Sequence, residues 1–86
     1  MSFAHSTDLS VSYPTPAAAR RIERSIRVEV GEIADDRTTV RLHRNENILV
    51  IDIAAADLVA LRAAVNSWLR YVTVAERVVD AVENEN

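Results

Sequence analysis

The chain has 86 residues, no cysteine, one glycine and a formal net charge of −3, its 10 basic side chains all arginine against 13 acidic ones. That length is read as one domain (residues 1–86, ordered over about 6–83) with a thin core. The missing cysteines exclude disulfides, thiolate metal sites and cysteine nucleophiles, so a partner chain is the expected source of added stability. The mild acidity excludes holding bulk nucleic acid by charge alone.

The first element reads as a strand. Leu9, Val11 and Tyr13 alternate with Asp8, Ser10 and Ser12, which puts one apolar face on an extended segment. Pro14 ends it. Thr15 supplies a helix N-cap, and Pro16 fits the first helical turn, where its missing N–H costs nothing. Ala18, Ile22 and Ile26 then recur at spacing four among arginines and glutamates, an amphipathic helix over Thr15–Ile26. From Val28 to Ile33, around Gly31, the pattern predicts an extended connection, with a turn at Asp35 and Asp36.

Two further strands follow. Val40 and Leu42 alternate with Arg41 and His43, and Asn45, Glu46 and Asn47 form a polar hairpin tip. The run Ile48–Ile53 is apolar except for Asp52. Such a run fits a strand buried on both faces or one that pairs with another chain. Asp52 reads as a solvent-face or edge-strand residue that discourages wrong pairing.

The last element starts at Asp57, an N-cap. Apolar residues fall at Leu58, Leu61, Val65, Trp68, Val72, Ala75, Val79 and Val82, in alternating steps of three and four. This is a heptad seam on a helix as long as the whole domain. Leu69, Val74 and Val78 form a second apolar line that widens it. A small sheet cannot cover all of this, so part of the stripe is left for another chain. The element order is strand, helix, strand, strand, helix. It gives an α+β fold: a three-stranded antiparallel sheet with both helices on one face, in a dimer.

The search for chemistry is negative. One glycine makes neither a phosphate-binding loop nor a nucleophile elbow. His5 and His43 lie apart from other ligand types, so no metal, cofactor or small-molecule substrate is expected. No signal peptide is apparent and no apolar run approaches the ~20 residues that span a bilayer, so the expectation is a soluble cytoplasmic protein without membrane contact. Trp68 falls on the seam and reads as a packing residue. Arg62, Asn66, Arg70 and Arg77 share the polar side of the last helix, either as a solvated face or as the rim of an apolar contact.

One segment carries more than periodicity. Leu58–Tyr71 resembles the signature of the Pcc/CTAG family, a pattern like A-L-R-A-x-x-N-S-x-L-R-W/Y. Here it runs through Ala60, Leu61, Arg62, Ala63, Asn66, Ser67, Leu69, Arg70 and Tyr71. The family member of this size is the small dimerising subunit of KEOPS, which installs threonylcarbamoyl on adenosine in certain tRNAs. The resemblance implies a non-catalytic subunit that dimerises, packs against helices of the catalytic subunit and supports tRNA binding. It implies partner contacts at Leu61, Arg62, Val65, Asn66, Leu69 and Arg70. A dimer contact is expected at Ile48, Val50 and Ile51, and a tRNA contact at Arg70, Tyr71 and Arg77. Two alternatives remain open: a paralogue that forms a mixed dimer in the same complex, and a small RNA-binding α+β dimer.

Overall fold

The computed structural model describes residues 3–30 and 37–83. Its elements, in chain order, are β1 (His5–Ser12), α1 (Pro16–Arg27), β2 (Thr38–Asn45), β3 (Ile48–Ala55) and α2 (Leu58–Glu83). The class and order are those the sequence predicts: an α+β fold with three antiparallel strands.

Local chemistry starts each helix and closes the first. Thr15 is extended (φ −140°, ψ 157°), and its hydroxyl accepts the Ala18 N–H at 3.1 Å, with Pro16 following at the first helical position. Asp57 does the same for α2: its carboxylate accepts the Ala60 N–H at 2.8 Å. Past α1 the extended connection expected at Val28 is not found. Val28 keeps helical angles (φ −61°, ψ −24°), and the Glu29 N–H donates to the Ile26 carbonyl at 3.0 Å in a closing turn. Gly31, Ile33, Asp35 and Asp36 lie outside the described residues.

The β2–β3 hairpin turns through Glu46 and Asn47, with Glu46 at φ 57°. A non-glycine residue pays about 1 kcal/mol for that region. The Arg44 guanidinium steadies it by donating to the Glu46 carbonyl at 2.9 Å. Asn47 also fastens the end of β1. Its side-chain amide donates to the Tyr13 carbonyl at 2.7 Å, and its own carbonyl accepts the Tyr13 N–H at 2.9 Å.

The sheet order is β1-β3-β2, so β3 is central and both of its edges are paired within the chain. Pairing of this strand's edge with another chain is therefore excluded. Nor is it buried on both faces. Leu49, Ile51, Ile53 and Ala55 are fully buried under the helices, whereas Ile48, Val50, Asp52 and Ala54 face the other way. Leu9 and Val11 from β1 and Val40 and Leu42 from β2 flank the buried row. Ile22 and Ile26 of α1 and Ala64, Trp68, Val72 and Ala75 of α2 close over it. On α1 it is Ala19, not the expected Ala18, that is fully buried.

Glu23 ties α1 to β2. It accepts from Arg27 at 2.7 Å and from Arg44 at 3.1 Å. Burial alone would raise its carboxyl, but the hydrogen bonds and charges of the two arginines outweigh it and hold the group below the usual range. The folded form thus binds its proton more weakly than the unfolded chain. The stabilisation is complete above the ordinary glutamate value near ~4.3 and is lost as pH falls through the lower folded value. Glu23→Gln is expected to cost about 1–2 kcal/mol at neutral pH. That difference should shrink below about pH 4. Urea unfolding followed by circular dichroism at both pH values checks it.

Candidate functional site

Two faces are uncovered on this fold. The first belongs to α2. At 1.5 Å per residue its 26 residues span about 39 Å, most of the 49 Å long axis of the molecule. Its middle turns pack on the sheet, but Leu69, Val74 and Val78 stay 48%, 50% and 53% exposed, and Leu58 and Val82, at the ends of the seam, 61% and 63%.

The exposed residues do not form the single line expected. At about 100° per residue, Leu69 and Val74 lie about 140° apart, on opposite flanks of the core-facing stripe. On one flank Val74 and Val78 line a groove against α1 with Ser25, Ile26, Glu29, Arg70 and Tyr71. On the other flank Leu69 precedes a groove of mixed lining, formed by Thr73, Glu76, Arg77, Val79 and Asp80 with Tyr13, Ala18 and Ile22. There the Tyr13 hydroxyl donates to Glu76 at 2.6 Å. Burial, then this bond and the Glu76 charge, push the phenol well above its ordinary value, so it stays a donor.

Of the residues expected to meet a partner, Arg62, Asn66, Leu69 and Arg70 are exposed. Leu61 and Val65 turn inward and pack against the chain's own core, where they complete the sheet contact. Tyr71 is half-buried too, edge-on to Trp68 with ring centroids 5.4 Å apart. That contact engages the ring that a base-stacking role would need free. Arg77 is exposed and lines the groove beside Tyr13 and Glu76.

The second uncovered face is the side of the sheet away from the helices. The expected dimer residues divide here. Ile48 and Val50 point outward from β3, whereas Ile51 is fully buried under the helices and has no surface to offer a second chain. Cross-strand register arranges the outward residues in rows: Ser6, Ala54 and Thr39; Asp8, Asp52 and Arg41; Ser10, Val50 and His43; Ser12, Ile48 and Asn45. Asp52 also meets His43, with Nε2 and Oδ2 3.0 Å apart. Asp8 and Asp52 share a hydrogen bond, which with the Asp52 charge raises the Asp8 carboxyl above its ordinary range. The sequence singled out Asp52 but not Asp8 or Arg41, because only strand register brings the three together.

Among the described residues no three His, Cys, Asp or Glu side chains cluster as a metal site, and no helix is long and apolar enough to cross a membrane. The arrangement is suited to holding other chains: a thin α+β domain with a helical flank and a sheet face left open.

The comparisons with known proteins place that domain. A family model described as "Transcription factor Pcc1" matches residues 6–80, nearly the whole chain. The chain belongs to the Pcc1 family, a family of non-catalytic KEOPS subunits, as the signature in α2 implied. The fold is also that of a chain in the crystal structure of a binary Gon7–Pcc1 complex. The TM-score is 0.81 at 18% identity, covering 94% of this chain and 99% of that one. No curated protein sequence matches.

Proposed function

We propose that the chain is a cytoplasmic, non-catalytic dimerisation and assembly subunit of KEOPS. It binds the catalytic subunit through α2 and supports tRNA binding for threonylcarbamoyladenosine formation. The observation that carries this is the half-exposed apolar residues of α2 on a chain of this family: Val74 and Val78 on one flank and Leu69 on the other keep about half of their surface open to another chain. The sheet face at Ile48 and Val50 supports the second half of the reading, a place for a twin chain. Since the solved relative comes from a complex with Gon7, a different small subunit in place of the twin is the main alternative arrangement.

The test is size-exclusion chromatography with light scattering on this chain mixed with the KEOPS catalytic subunit from the same source. The expected result is a stable complex built on a dimer of this chain. A complex holding one copy would point to a mixed dimer. Elution of the chain alone would sink the assembly reading and leave the RNA-binding module, whose hallmark is binding by the isolated chain that falls steeply with salt. The net charge of −3 and the packing of Tyr71 speak against that module as the sole function.

A further inference from the structure

The open sheet face is nearly flat in composition. Its rim rows carry Ser6, Thr39, Ser12 and Asn45, and Ile48, Val50 and Ala54 form an apolar spine along β3. The exception is the row Asp8–Asp52–Arg41, with His43 beside it. Acid stands on the β1 side and base on the β2 side. Every titratable or charged group described on this face belongs to that cluster: Asp8 from β1, Asp52 from β3, Arg41 and His43 from β2. Both helices lie on the opposite face and contribute none.

Sheets that pack face to face keep their strands within about 30° and stand ~10 Å apart. A two-fold axis running along β3 exchanges the β1 and β2 sides. It lays Asp8 of each protomer over Arg41 of its partner, so the flanks match in charge. The same axis brings the two copies of Asp52 to the centre, where they meet like with like. The flanks attract, and the centre repels unless protons are supplied.

Resting on the reading that two copies pair through this face, we infer that the pairing is proton-dependent: the dimer takes up protons at the Asp8–Asp52 carboxyl pair and tightens as the pH falls. Each pair already holds two carboxyls side by side, a geometry in which one favours keeping its proton. Covering the face removes water from the pair and brings the two copies of Asp52 together, and both effects disfavour the charged form, against the pull of the partner's Arg41 on Asp8. By linkage, a state that binds more protons gains on its rival as the pH drops, by up to tenfold in Kd per proton for each pH unit.

Sedimentation equilibrium of the full chain at about pH 8 and about pH 6, beside Asp8→Asn and Asp52→Asn, tests this. The wild-type dimer is expected to tighten roughly tenfold between the two, while both variants change less than about threefold and Asp52→Asn, which removes the repulsion at the centre, dimerises more tightly at the higher pH. Association that merely reflects the approach to the isoelectric point would appear equally in the variants, and that result overturns the inference. A wild-type dimer with the same Kd at both pH values overturns it as well, leaving the pairing itself intact. A chain that is monomeric throughout removes the pairing and the inference with it. Circular dichroism of the variants confirms that the fold is unchanged.

Discussion

Trp68→Ala is expected to cost about 3–5 kcal/mol of unfolding free energy. A chain of this size has only about 5–10 kcal/mol in total, so the variant should be largely unfolded at physiological temperature unless a partner holds it. Trp68 is the largest fully buried side chain and sits at the middle of α2, over the buried row of Leu49, Ile51 and Ile53. A thin domain cannot collapse around a hole of that size without moving the helix off the sheet. The same position carries a second, smaller effect. The indole Nε1 is buried with no hydrogen-bond partner among the described residues. Trp68→Phe removes that unsatisfied donor, worth about 1–3 kcal/mol, while losing part of the ring volume. The phenylalanine variant is therefore expected to stay within about 1.5 kcal/mol of the parent. Urea unfolding by circular dichroism reads both, since each variant lacks the only tryptophan. Equal stability of Trp68→Ala and the parent would show that the helix does not depend on this contact.

That α2 was legible at all follows from the strength of its signal. A seam in steps of three and four over so long a stretch has no competing reading, and Asp57 marks its start. Thr15 and Pro16 mark the other helix in the same way. Sheet order was not legible. An apolar run such as Ile48–Ile53 describes burial without saying whether it comes from a covering face or from neighbouring strands. Once β3 is known to be central, its odd-numbered residues turn to the helices and its even-numbered ones to the open side, which moves Ile51 into the core and leaves Ile48 and Val50 outside. The role of Asp8 is not legible for a related reason. Its importance is its place opposite Asp52, and registers between strands far apart in sequence leave no local trace. The division of Leu69 from Val74 needed only helical geometry. Apolar residues five apart look like neighbours in a list, yet they stand on different sides of a helix.

The largest effect on assembly is expected at Val74 and Arg70. A helix docking on α2 needs a continuous apolar lane with room beside it. The Val74 flank has both, because Val74 and Val78 stand one turn apart along a groove walled by Ser25 of α1 and Glu29 in the turn after it, and bordered by Arg70. The Leu69 flank lacks the lane: Arg62, Asn66 and Thr73 surround it, and the Thr73 hydroxyl is turned back onto the Leu69 carbonyl at 2.8 Å. Val74→Glu should therefore weaken binding of the KEOPS catalytic subunit by about 30-fold or more, the size of a central contact residue. Arg70→Glu should do nearly as much by reversing the charge at the rim. Leu69→Glu should cost less than about fivefold. All three positions are exposed in the isolated chain, so each variant should keep its unfolding midpoint, and titration calorimetry then reads the interface alone. The reverse order, with Leu69→Glu abolishing binding and Val74→Glu harmless, would move the partner to the groove beside Tyr13 and Glu76. Full affinity in all three would take the catalytic subunit off the middle of α2.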